Sequence, residues 1–93
     1  MRFEWDVNKA KSNLNKHDIS LEEAQTVFKD DLSITVSDPD HSGDEERLIT
    51  VGQSSEKRLL VVIHTERGKT IRLISARKAN RAEHKKYEEE NLT

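Results

Sequence analysis

The side chains best suited to chemistry are cations crowded into the later half of the chain: Arg67, Lys69, Arg72, Arg77, Lys78 and Arg81. A guanidinium offers a planar fork of donors that matches two oxygens of a phosphate, so this cluster points to phosphate-bearing partners. Histidines stand at 17, 41, 64 and 84, and an unperturbed imidazole exchanges its proton near neutrality. Cleaving RNA without a metal takes three groups: one to deprotonate the 2′-OH, cations to hold the charge on the phosphorane, and one to protonate the departing 5′-oxygen. Arg72 and Arg77 suit the second task. His17, His64 or Tyr87 suit the first or third, and a site relying on cations alone needs none of them.

Other chemistries are poorly supplied. With no cysteine there is no thiolate nucleophile, disulfide or zinc–thiolate site, which leads us to expect a reducing, cytoplasmic setting. Asp38-x-Asp40-x-Ser42-Gly43 copies half of a calcium loop, but Ile49 stands where the bidentate carboxylate belongs. The histidines lack ligand spacing, and the glycines stand alone at 43, 52 and 68, so no metal site, cofactor or phosphate-cradling loop is expected. Phe3, Trp5, Phe28 and Tyr87 are too few for a base-stacking platform. No recognition helix for duplex DNA is visible. The longest apolar run, Leu59–Ile63, is far short of the ~20 residues of a membrane span, and the N-terminus has no signal-peptide core.

Charge is divided along the chain. Residues 1–56 hold six Lys/Arg against thirteen Asp/Glu, whereas residues 57–87 hold ten Lys/Arg against two acids. A chain of net charge −2 can therefore present one strongly positive surface, fit for RNA or for an acidic partner.

The elements that must position these groups follow from periodicity. At 93 residues, 32% apolar and 37% charged, the chain has room for one small core, and residues 1–93 read as a single domain. Arg2–Trp5 is a short extended start and Asp6 an N-cap, with Val7, Ala10 and Leu14 at helical spacing. Ser20 to Glu23 matches a capping box for a second helix carrying Leu21, Ala24, Val27 and Phe28. From Leu32 the period becomes two, giving strands near 32–36, 46–52, 58–65 and 70–76. The third is apolar on both faces and so central. Asn80 and Glu83 begin a last helix whose stripe, Ala79, Ala82 and Tyr87, is too thin to dock firmly. The fold class is α+β, two-layered: a four-stranded antiparallel sheet, with Arg2–Trp5 as a candidate extra N-terminal strand, two N-terminal helices and a C-terminal helix. Strict alternation places Ile71, Leu73, Ser75 and Arg77 on one sheet face and Arg72, Ile74 and Ala76 on the other. Arg72 then either lies on an open face or pairs with a carboxylate such as Glu46 or Glu83.

The motifs Phe3-Glu4-Trp5-Asp6, Lys9, Asn13, Lys16-His17, Phe28-Lys29-Asp30, Glu45-Glu46-Arg47, Gly52 and Arg72-Leu73-Ile74-Ser75-Ala76-Arg77, continued by Glu83 and Tyr87, resemble the BrnT toxins over nearly the whole chain. The resemblance implies a RelE-like, metal-independent endoribonuclease toxin of a type II toxin–antitoxin system. It implies an RNA substrate and a BrnA-like antitoxin with a ribbon-helix-helix DNA-binding portion. The two would form a heterotetramer that represses its own operon, so that DNA is met only through the antitoxin. Carried over by motif, Arg72, Arg77 and His17 are the expected catalytic groups. Lys9, Lys16, His64, Arg67, Lys78, Arg81 and Tyr87 are the expected RNA contacts, and Glu46 and Arg47 are structural or catalytic. Asp18 replaces the glycine usual after Lys-His, and aspartate tolerates the left-handed backbone such a turn requires. A chain that only binds an antitoxin-like partner, without cleaving, is the alternative.

Overall fold

The strand apolar on both faces organises the molecule. In a computed structural model, which describes residues 1–39 and 46–92, it is β4 (Leu59–Arg67), the centre of a five-stranded sheet. β1 (Arg2–Glu4), β2 (Ile34–Ser37), β3 (Leu48–Gln53) and β5 (Thr70–Lys78) complete the order β1-β5-β4-β3-β2. β2 to β5 form the expected antiparallel meander, and the N-terminal segment joins it as a real strand, parallel to β5. The sheet is thus mixed rather than purely antiparallel. His41 and most of the half calcium loop lie outside the described residues.

Two helices, α1 (Val7–His17) and α2 (Leu21–Gln25), followed by a short 3-10 turn at Thr26–Lys29, cover one face. Asp6 caps α1 by accepting from Asn8 N and Lys9 N at 2.8 and 3.1 Å. Asp18 ends it at φ 58°, ψ 32°, the left-handed turn anticipated for that aspartate. Ser20 caps α2 by accepting from Glu23 N at 3.0 Å. The reciprocal half of the expected capping box is not what Glu23 does. Its carboxylate reaches across to β3–β4, where it accepts from Ser54 Oγ at 2.7 Å and from the Arg58 guanidinium.

Beneath the helices, Ile19, Leu21, Ala24 and Val27 pack on Leu60, Val62, Ile71, Leu73 and Ala76, flanked by Phe3, Trp5, Ala10 and Phe28. Each large aliphatic side chain buried here contributes about 1.5–3 kcal/mol. Gly52 lets the 3-10 turn come close: a Cβ there would sit 2.8 Å from Val27 Cγ1 and 2.9 Å from Ser33 Cβ.

α3 (Arg81–Glu90) lies on the opposite face, near β2 and β3. Asn80 and Glu83 form a full capping box at its start. None of its residues is buried, in keeping with its thin stripe, and it is held by polar ties. Tyr87 Oη donates to Asp30 Oδ2 at 2.6 Å, and Asn91 Nδ2 donates to Leu32 O at 3.3 Å. A hollow of about 60 Å3 is left between this helix and Ile34, Val36 and Val51. Among the described residues no helix is long and apolar enough to cross a membrane.

Candidate functional site: the β5 arginines and the α1 cleft

Arg72 and Arg77 are five residues apart, an odd number, so a regular strand would turn them to opposite faces. The structure breaks that parity. Arg72 lies opposite Thr65 and Leu73 opposite His64, but Ser75 is opposite Ile63, leaving Ile74 as an extra residue in a β-bulge. Beyond the bulge Ala76 meets Val62 and Arg77 meets Val61. Ala76 therefore enters the core, while Ser75 and Arg77 join Arg72 on the face away from α1 and α2. This corrects the sequence assignment of faces. Without the extra residue Arg77 would take the position opposite Leu60 that Lys78 now holds, on the other face of the sheet from Arg72.

The two guanidiniums do not meet. Thr65 and Val61, their cross-strand partners, are four residues apart, about 13 Å along the strand. Arg72 Nη1 is 3.5 Å from Glu4 Oε1, its neighbour on β1, rather than from Glu46 or Glu83. Arg77 holds Glu83 of α3 in a two-pronged pair at 2.8 and 2.8 Å and also donates to Lys78 O at 3.3 Å. That pair holds the Glu83 carboxyl below its ordinary range and raises Arg77 above its own. Both arginines remain in contact with water, with side chains 36% and 44% exposed, so each carboxylate is open to exchange for a phosphate.

Beside the bulge, Lys9, Ser12, Asn13, Lys16 and His17 of α1 line a cleft of about 240 Å3 against Ile74 and Ser75. Lys16 and His17 occupy the last turn of α1, where the helix dipole favours cations. The early Lys-His segment and the late Arg-Leu-Ile-Ser-Ala-Arg segment thus meet in space.

The remaining expected residues separate. His64 is 1% exposed, edge-on to Phe28 with ring centroids 4.9 Å apart, and its Nε2 lies 2.7 Å from Thr50 Oγ1. Burial pushes its pKa down to about 4. It is a core residue, which corrects its expected place among RNA contacts, because no ligand reaches it with the sheet and helices closed. Tyr87 stands over β2 and β3, away from the cleft, and burial together with Asp30 pushes its hydroxyl up to about 12. Burial acts against ionisation of Asp30, yet donors from Gln53 N, Tyr87 and Leu32 N hold its carboxyl low. Arg67 is exposed in the β4–β5 hairpin, and Lys78 and Arg81 are exposed where β5 passes to α3. Glu46 accepts from Ser37 Oγ at 2.8 Å and the Arg47 carbonyl accepts from Asp38 N at 2.9 Å, both at the β2 edge. Among the described residues no three His, Asp or Glu side chains gather as a metal site. Sequence reasoning missed Ser12 and Ser75 in the cleft, and Glu4 as the partner of Arg72.

Residues 5–83 match the family model described as the ribonuclease toxin BrnT of type II toxin–antitoxin systems. The chain belongs to the BrnT family. Its fold agrees with that of the Brucella abortus ribonuclease toxin BrnT, known from a crystal structure. The two share 21% identity and a TM-score of 0.63 over 87% of this chain and 99% of that one. No curated protein matches the sequence. The family is described as one of ribonuclease toxins of type II systems, and the structural likeness carries the α+β fold.

Proposed function

We propose that this BrnT-family chain is a metal-independent endoribonuclease whose substrate lies along β5, between the Arg72–Arg77 face and the α1 cleft. The observation that carries this reading is the bulge at Ile74, which puts both arginines on one solvent-reachable face of β5, while Ile74 and Ser75 between them border the cleft that Lys16 and His17 line. Arg72 and Arg77 grip successive parts of the RNA backbone, trading Glu4 and Glu83 for phosphate oxygens, and the one that holds the scissile phosphate stabilises the extra charge of its phosphorane. His17 moves the proton at the 2′-OH or the 5′-oxygen. Lys9 and Lys16 hold the chain in the cleft, and Arg67, Lys78 and Arg81 extend the positive track.

A BrnA-like antitoxin covers the same face, inhibits by occlusion, and supplies the ribbon-helix-helix portion through which the heterotetramer represses its operon. The toxin acts in the cytoplasm. The rival reading, a chain that binds the antitoxin without cleaving, draws on the ion pairs that already occupy both arginines.

Purified toxin incubated with RNA in EDTA separates the two. Cleavage that survives chelation and falls at least about 100-fold in the Arg72→Ala, Arg77→Ala variant supports the nuclease, by analogy with removal of one oxyanion donor. Intact RNA at high protein concentration, with antitoxin binding preserved, favours the rival.

A further inference from the structure

We propose that Asn13 is a positioning residue: its side-chain amide locks the β5 bulge and thereby keeps Arg77 on the face of Arg72. The inference deepens the proposed nuclease site and rests on the reading that these two arginines hold the scissile backbone.

Asn13 is 4% exposed, whereas its helix neighbours Ser12 and Leu14 are exposed. A buried amide is tolerated only when its hydrogen bonds are made, and three are. Nδ2 donates to Ile19 O and to Ala76 O, both at 2.9 Å, and Oδ1 accepts from Ala76 N at 3.0 Å. The second and third are the pair of bonds that a neighbouring strand would give Ala76. β1 stops short of that point, because its register with β5 ends at Arg72. The Asn13 amide therefore stands in for the missing strand immediately after the bulge. The choice it fixes is a single-residue phase: with Ile74 extra, Ala76 packs inward and Arg77 outward. With Ile74 in the ladder the order reverses.

Removing Asn13 leaves the Ala76 N–H and C=O without partners and frees the last residues of β5 to change phase or detach. Deleting Ile74 has a different effect. It converts β5 into a regular strand in which Arg72 still faces Thr65 and Arg77 still faces Val61, so the same arrangement no longer depends on a bulge.

The test measures RNA cleavage and the cross-strand contact between residues 61 and 77, by nuclear Overhauser effects, in the full chain. Asn13→Ala and Asn13→Asp are expected to lose the 61–77 contact and at least tenfold in cleavage. Asn13→Ala on a chain lacking Ile74 is expected to keep the contact and to stay within about threefold of the Ile74 deletion alone, a rescue that a merely stabilising role would not give. Should both single variants fail to fold, the double variant decides: if it folds with the 61–77 contact the proposal stands, and if it also fails to fold Asn13 is a general structural residue. Asn13 variants that keep both contact and cleavage overturn the proposal outright. Failure of the nuclease reading looks different: the unaltered chain leaves RNA intact, or the double arginine variant still cleaves it, while the 61–77 contact still responds to Asn13.

Discussion

The two faces of β4 and β5 are made by alternate residues of the same strands, yet they obey different rules. Leu60, Val62, Leu73 and Ala76 turn toward α1 and α2 into a closed core, where burial pushes the pKa of His64 down to about 4. Val61, Ile63, Arg72 and Arg77 turn the other way, where charged groups keep both partners and water. On the first face burial favours the neutral form of the imidazole. On the second, charge is retained in pairs weak enough to exchange. A sheet of this kind separates stability from chemistry by strand parity, and a single bulge moves Arg77 across the divide.

Substitutions that exploit this divide should have effects of very different size. Leu60→Ala empties volume in the closed face and should destabilise by about 2–5 kcal/mol, read by chemical denaturation. The matching change on the open face, Ile63→Ala, should cost clearly less, because that side chain is only half-buried. Equal costs would erase the contrast.

Next in size is the pH response of His64. Its folded pKa of about 4 lies below the unfolded value, so the folded state binds fewer protons than the unfolded chain between those two values. Stability is then full above about pH 6.5 and falls as the pH drops toward 4, by up to about 3 kcal/mol. The lowered carboxyls of Glu23, Asp30 and Glu83 lose their contributions only further down, as the pH falls through their own folded values. Denaturant midpoints measured between pH 6.5 and 5 therefore isolate the histidine. His64→Leu should flatten that slope, and a slope unchanged by the substitution would mean that the imidazole is not what titrates.

Glu23→Gln tests the tie between α2 and the β3–β4 hairpin, where Arg58 holds the carboxyl below its usual range. Hydrogen bonds to a charged partner contribute about 1.5–3 kcal/mol, and the substitution should cost part of this. Smallest of all is Glu83→Gln on the open face, expected at no more than about 1 kcal/mol because the pair is solvated. Its signature is faster amide exchange in α3 with β4 unaffected. A loss of protection across the whole sheet would show α3 to be part of the core.

Much of this architecture was legible beforehand. Asp6, Asp18, Ser20 and Asn80 carry their capping roles locally, and the double-faced run Leu59–Ile63 announced a central strand. Three residues hold too little pattern to specify a neighbour, so the parallel pairing of the N-terminal strand with β5 is visible only in the fold. Glu23 reads locally as half of a capping box, and Arg58, thirty-five residues away, takes its carboxylate instead. Strand parity puts His64 on the face of Leu60 and Val62. Its exclusion from any ligand surface depended on Phe28 and the helices closing over it.

What the sequence determined by itself was the alphabet of short-range choices: where helices start, where alternation turns a face inward, and which residue types could hold a phosphate. These depend on neighbours within a few positions. Tertiary structure alone decided which cations share a surface. The phase of β5 is set by one unpaired residue at Ile74 and by an amide from position 13, sixty-three residues before the alanine it holds. A one-residue shift in a period-two element leaves no mark in composition, yet it reverses the direction of every side chain after it.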